Sequence, residues 1–272
     1  MRVPLRGGGV REARLVQGPA GWGECSPLPG YPCTYERARA AADEAAFVGW
    51  PAPVRGDVPV NALVATVAEA VQAVAAGYRC LKVKGAVEVA AMRDAVGPRI
   101  AIRVDANGAW DVDGAVRTIR RLARYDIEFV EQPVATLDDL AMVRRLVDVP
   151  IAADECVRSL DDARRLADLG AADVIVLKVQ PLGGVAAAME VAEAAGIPPV
   201  VTSMMETSVG LGAGLALAAA LPVLPFACGL ATATLLDGDV VADPLWPVDG
   251  RLALRRPVPD PALLERYRVA AA

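Results

Sequence analysis

Short β-branched runs alternate with longer segments rich in Ala, Leu and Arg from about residue 58 to residue 231, and nothing else in the chain limits its fold so tightly. The strand candidates are 58–63, 80–84, 100–105, 127–131, 151–154, 174–178, 199–204 and 226–230. Amphipathic segments such as 113–125, 137–147, 160–169 and 185–195 lie between them. Gly77, Gly97, Gly170 and Gly196 fall where those helices should stop. A strand–helix–strand repeat of this kind predicts parallel β/α units joined by right-handed crossovers. Eight strands in sequence predict an α/β fold closed as a barrel of the (β/α)8 type. A doubly wound sheet is the alternative, but no G-x-G-x-x-G follows an early strand.

Three lysines, Lys82, Lys84 and Lys178, are all the chain contains, and the rest of its 28 basic residues are arginine. A chain that uses Arg for its surface cations has little general need of Lys, whereas a lysine near neutral pH offers a proton that a guanidinium does not release. Lysines that merely survived a bias toward Arg should lie on surface helices, and these lie in predicted strands. Lys84, Asp105, Glu131, Asp154 and Lys178 each close a predicted strand, at intervals of 21, 26, 23 and 24 residues. The C-terminal strand ends of a β/α barrel form one rim, where catalysis occurs. Five successive strands thus bring one ionisable group each to the same mouth.

Asp105, Glu131 and Asp154 come from neighbouring strands, and three convergent carboxylates raise one another's pKa values unless a cation joins them. A hard divalent ion suits such an all-oxygen set, which points to Mg²⁺, with Mn²⁺ as the alternative. Alternation along Cys80-Leu81-Lys82-Val83-Lys84 puts both lysines on one face. Lys82 and Lys84 then flank the carboxylates on one side and Lys178 on the other. Cationic neighbours together with the metal are expected to lower a lysine pKa there, leaving a neutral amine on one side of the metal and an ammonium on the other. This arrangement suits removal of a proton α to a carboxylate. Arg103 shares the inward face of Asp105 and is expected to neutralise nearby carboxylates. Asn107 is either a turn residue or a support for the metal site. Glu155 either positions a lysine or bonds to the next helix.

The ordered set K-x-K (Lys82, Lys84), R-V-D-A-N (residues 103–107), E-Q-P (131–133), A-D-E (153–155) and Lys178 in V-L-K-V-Q resembles the enolase superfamily, in its muconate-lactonizing-enzyme-like branch. The resemblance implies a modified TIM barrel, (β/α)7β, with a small α+β capping domain. Residues 1–57 would begin the cap, 58–235 would form the barrel, and 236–272 would return to the cap as a hairpin. The helical part of the cap, around residues 35–50, is short by the standard of the family. The stretch 21–31 is similar to the family's substrate-covering loop, and 203–210 and 228–232 to the ends of its seventh and eighth strands. Ser203 and Gly229 would then lie near substrate carboxylates, and Asn107 joins them as a candidate substrate-binding residue. The resemblance further implies a carbon–oxygen lyase of menaquinone synthesis. Lys84 would remove the α-proton and return it to a departing hydroxyl in a syn elimination, while Lys178 faces the enediolate as a cation. Racemisation of N-succinyl amino acids by the same lysines is the alternative. The Asp-x-Asp that dipeptide epimerases carry after strand eight is replaced here by Ala231-Thr232-Ala233.

Other classes are narrowed by what the chain lacks. It has no histidine, so Ser-His-Asp and Cys-His catalysis and His-containing zinc sites are excluded. A net charge of −5 argues against nucleic acid as a partner, and the expected partner is a small carboxylate substrate held at open positions of the metal. Five scattered cysteines without C-x-x-C spacing favour reduced thiols and a cytoplasmic location. The N-terminus has no signal-peptide core, and the most apolar stretch, 209–226, is broken by Gly212, Gly214, Pro222 and Pro225. It is expected to form a buried helix and a strand, with no membrane span. Two remoter readings remain: a metal-free barrel whose lysine forms a Schiff base, and a barrel that binds an acid without turning it over. The sequence sets no oligomeric state.

Overall fold

The structure, a computed structural model, describes residues 1–269; residues 270–272 of the C-terminal segment lie outside the described residues. Seven parallel strands run in chain order around one sheet: β1 (Ala62–Val64), β2 (Cys80–Lys84), β3 (Ala101–Asp105), β4 (Phe129–Glu131), β5 (Ile151–Ala153), β6 (Val174–Leu177) and β7 (Pro199–Val201). Capping residues stand at four of the transitions from strand to helix. Thr66, Asp111, Thr136 and Ser159 each accept a hydrogen bond from the backbone N–H three residues on, opening Val67–Ala75, Val112–Leu122, Leu137–Leu146 and Leu160–Leu169. Gly97, Gly170 and Gly196 stand at helix ends with positive φ, as expected.

Two of the eight expected strands differ from their predicted form. The stretch 58–63 divides at Pro59: Asp57–Pro59 pairs antiparallel with Arg251–Ala253, and only Ala62–Val64 joins the barrel. The stretch 226–230 forms no strand. It closes the ring through single parallel bridges, Val60 to Cys228 and Thr202 to Gly229, held by hydrogen bonds from the Cys228 N–H to the Pro59 carbonyl (2.7 Å) and from the Gly229 N–H to the Val201 carbonyl (2.8 Å). Pro222 and Pro225 supply no N–H on its approach, which shortens the ladder. The apolar stretch before it forms the buried helix Ser208–Ala220, and among the described residues no helix is long and apolar enough to cross a membrane.

Alternation decides what fills the barrel. Phe129, Ala152, Val174, Val176 and Val200 form an interior cluster with Phe226 against it. The Phe129 and Phe226 rings meet edge to face at 5.5 Å. Arg103 lies in this lower layer. Its guanidinium stacks over Phe129 (4.6 Å to the ring centre), its Nε donates to Glu128 Oε2 (2.5 Å) and its Nη1 to the Ala227 carbonyl (2.6 Å). It therefore neutralises a carboxylate, but one below the rim and not one of the three at the mouth. Residues two further along these strands, on the same face, reach the rim.

The N-terminal segment forms two antiparallel pairs, Arg2–Pro4 with Val10–Glu12 and Arg14–Gly18 with Gly21–Cys25. One helix follows, Tyr35–Asp43, continued by a π-helical turn Glu44–Val48. Gly23 permits their contact: a Cβ there would sit 2.0 Å from the Ala42 carbonyl oxygen. The C-terminal segment makes a tight antiparallel turn, Val248 against Arg251, that pairs onto Asp57–Pro59, and it also returns to the N-terminal strands. The Arg6 N–H bonds to the Leu235 carbonyl (3.0 Å), the Asp237 N–H to Pro4 (2.8 Å) and the Arg2 N–H to Tyr267 (2.9 Å), around a small core of Val3, Val209, Leu236, Val240 and Tyr267.

Candidate active site

Strand register brings the predicted residues together. Lys84 lies beside Asp105 and Asp105 beside Glu131 in adjacent parallel strands. Asp154 and Lys178 follow β5 and β6 directly. Lys82, Lys84, Asp105, Asp154 and Lys178 face one cavity of about 280 Å³, and Asn107, Ser203 and Gly229 line it too. Glu131 lies beneath, bonded to Lys82.

The three carboxylates are almost wholly buried: Asp105 and Glu131 are 1% exposed and Asp154 is 3%. Buried carboxylates need cations or donors, and here the lysines supply them. Lys82 Nζ stands 2.7 Å from Glu131 Oε1 and 2.8 Å from Asp105 Oδ2. Lys84 Nζ donates to Asp105 Oδ2 (2.6 Å) and Asn107 Oδ1 (2.7 Å). Lys178 Nζ donates to both oxygens of Asp154. Lys82 thus joins Asp105 to Glu131 while Lys178 holds Asp154 separately, and among the described residues no three acidic or cysteine side chains stand as a ready-made metal cage.

The electrostatics run against one expectation. Burial pulls the Lys82 and Lys178 pKa values down, but the adjoining carboxylates outweigh it and hold both above the ordinary lysine value, so both carry charge. Burial pushes the Asp105 carboxyl up, yet the Lys82 and Lys84 cations hold it well below the usual range. Glu131 is pushed up to about 7, because burial and its acidic neighbours prevail over Lys82. The lowered lysine pKa read from the sequence required cationic neighbours and the metal, whereas the nearest groups to Lys82 and Lys178 are carboxylates; the charge on Lys178 is the one expected of it.

Asn107 has a φ of 47°, a left-handed turn conformation, and its side chain also works. It accepts from Lys84, and its Nδ2 donates to Glu155 Oε1 (3.0 Å). Glu155 therefore acts on Lys84 through Asn107. Opposite, Ser203 Oγ donates to the Gly229 carbonyl (2.7 Å) and meets Thr232 Oγ1 at 2.8 Å.

Three participants were not read from the sequence. Gln132, in a strained backbone conformation (φ 39°), accepts from the Asp154 N–H (2.7 Å) and so fixes the chain that carries that carboxylate. Its place in E-Q-P was the available signal. Thr232 lay within the stretch compared with strand eight. Tyr31, at the end of the covering loop, donates its hydroxyl to Asp154 Oδ1 (2.8 Å) and accepts from Lys178 Nζ (3.0 Å). Burial and the Asp154 charge push its phenol far above the ordinary value, so it remains a donor.

A divalent cation fits this donor set. The ligands on offer are oxygens, no imidazole or thiolate competes, and four carboxylates (Asp105, Glu131, Asp154, Glu155) face three ammonium groups. Glu155 Oε2 is buried without any hydrogen-bond partner, so one carboxyl oxygen is left over.

Residues 1–46 match the family model described as Enolase N-terminal domain-like, and residues 65–260 match Enolase C-terminal domain-like. Fold and site together define a member of the enolase superfamily. The chain is 57% identical over 270 residues to the o-succinylbenzoate synthase of Thermobifida fusca (strain YX), covering 94% of this chain and 85% of that one. It is 48% identical over 280 residues to the o-succinylbenzoate synthase of Mycolicibacterium smegmatis, covering 97% and 86%. The chain belongs to the o-succinylbenzoate synthase family and is a lyase. Solved structures share the fold: muconate lactonizing enzyme from Pseudomonas putida (TM-score 0.88, 23% identity, 98% of this chain and 96% of that) and N-succinyl Arg/Lys racemase from Bacillus cereus (0.89, 22%, 99% and 96%).

Proposed function

We propose that this protein carries out the metal-dependent syn dehydration of 2-succinyl-6-hydroxy-2,4-cyclohexadiene-1-carboxylate to o-succinylbenzoate, in the cytoplasm, as a step toward menaquinone. The observation that carries this reading is the placing of Lys84 and Lys178 on opposite sides of one cavity with buried carboxylates between them. Asp105, Glu131 and Asp154 would hold Mg²⁺, or Mn²⁺ in its place. When bound, the ion supplies positive charge beside the substrate carboxylate, where negative charge grows as the α-proton leaves.

The chain's own residues do the rest. Lys84, as the free amine, takes the α-proton. The electron pair left behind first enters the carboxylate as an enediolate, then forms the ring double bond as the hydroxyl leaves. Lys84 returns the proton to that hydroxyl on the same face, and water departs. Its side chain is 51% exposed, against 12% for Lys82 and 8% for Lys178, so only Lys84 has ready exchange of its proton with solvent. Lys178 stays charged and faces the enediolate as a compact cation. Ser203 and Gly229 lie on the opposite wall and would meet the succinyl end.

The experiment is direct: purified protein, the cyclohexadiene substrate and Mg²⁺, with the absorbance change of the aromatic product followed over time. Product formation that stops with EDTA supports the reading. Covalent trapping of substrate on Lys178 by borohydride, with activity that survives EDTA, would replace it with Schiff-base chemistry.

A further inference from the structure

The covering loop is pinned firmly at its root and by one side chain at its tip. At the root, Arg11 donates to the Ser26 and Pro27 carbonyls and also to Met205 on the barrel rim (3.2 Å). Gln180 accepts from the Ser26 N–H (2.8 Å) and donates to Ser26 Oγ (3.0 Å). Beyond Pro27 the chain makes a tight turn, with Pro29 second, Gly30 third (φ 82°) and the Tyr31 N–H bonded to the Leu28 carbonyl (3.1 Å). This fits a type II turn, in which Pro and Gly preset the direction of the next residue. Pro29 and Gly30 are exposed. Among the described residues, the hydrogen bonds that residues 28–32 make outside the loop all pass through the Tyr31 hydroxyl.

Tyr31 meets Lys178 in two ways. The hydroxyl accepts from the ammonium, and the ring face lies 4.6 Å from it. With Asp154 on its remaining side, the ammonium is held from both the barrel and the cap.

We propose that Tyr31 is a positioning residue that clamps the covering loop onto the Lys178–Asp154 pair, so that loop closure and orientation of the Lys178 ammonium are one event. The kinetic part rests on the proposed role of Lys178, and the clamp itself does not. An open loop leaves Lys178 with Asp154 alone, free to turn toward that carboxylate and away from the cavity. A closed loop fixes it by three contacts and removes water from its surroundings.

Tyr31→Phe tests this, because it keeps the ring and the turn and deletes only the hydroxyl. Deuterium uptake of peptides covering residues 26–34, measured without substrate, should rise about tenfold in rate in Tyr31→Phe while uptake at the barrel strands stays the same. In the dehydration assay kcat should fall about tenfold with KM changed less than about threefold. A merely structural contact would not divide kcat from KM in this way. Unchanged uptake in the loop overturns the clamp. Raised uptake with wild-type kcat overturns the positioning role. If the wild-type protein fails to dehydrate the substrate, the functional reading fails instead, and the exchange measurement still decides the clamp.

Discussion

Replacing Lys84 with alanine should part activity from stability. The Lys84 side chain is half exposed and pairs with Asp105 at 2.6 Å. An ion pair so open to water contributes about 0–1 kcal/mol. Asp105 also keeps Lys82 at 2.8 Å, so the substitution leaves no buried carboxylate alone. In a chain of this size about 1 kcal/mol corresponds to a Tm change of about 2–4 °C. Loss of a proton-transferring group lowers the rate about 10²–10⁴-fold, or about 3–5 kcal/mol of barrier. Lys82→Ala is the contrast. Its side chain is 12% exposed and bridges Asp105 and Glu131. Breaking a buried pair costs about 3–5 kcal/mol, so Tm should drop by about 6–20 °C. Thermal unfolding followed by circular dichroism, beside the dehydration assay at saturating substrate, reads both quantities. A Lys84→Ala protein with near wild-type rate would refute the assignment of the base. A Tm loss matching that of Lys82→Ala would refute the reasoning from exposure.

Two further outcomes follow from the same geometry. Lys178→Arg should be as inactive as Lys178→Ala, because a planar guanidinium does not fit the compact position between Tyr31 and Asp154; substantial turnover by the arginine variant contradicts this. Lys178→Ala should also lose Tm as Lys82→Ala does, since it leaves buried Asp154 without its cation. Glu24, pinned between Ser26 and Thr207 at the root of the cap, is pushed up to about 7 by burial, against hydrogen bonds from those two residues that pull the other way. The unfolded carboxyl titrates near about 4.3, so between these values the native state binds more protons than the unfolded one. The stability this contributes is whole below about pH 4 and is lost as pH rises through 7, by about 3 kcal/mol in all. The Tm of the wild type should therefore fall relative to that of Glu24→Gln from pH 5 to pH 8, and a constant difference contradicts the assignment.

The rim was legible because a period of two and a period of one strand–helix unit coincide in it. Lys82 and Lys84 share a face by alternation, and register then sets Lys84, Asp105 and Glu131 side by side. The barrel's closure was less legible, since Pro59 divides the first expected strand and the eighth is reduced to single bridges. The lysine pKa lowering was not legible, because strand ends tell which groups approach one another but not which contacts are shortest: the nearest groups to Lys82 are carboxylates, while Lys178 carries the charge expected of it. Tyr31 was hidden for a related reason. Its partners lie 123 and 147 residues away, and no local pattern encodes a loop tip folded over a distant strand. The turn Leu28-Pro29-Gly30-Tyr31 announced a fixed direction, though not its target.

The account depends most on the three buried carboxylates acting together on a cation, and calorimetric titration of Mg²⁺ into the wild-type protein and Glu131→Gln, side by side, tests it most directly. The account predicts a single-site isotherm for the wild type and binding weakened at least about tenfold in the variant. Identical isotherms for the two proteins, or no heat of binding in either, would contradict it.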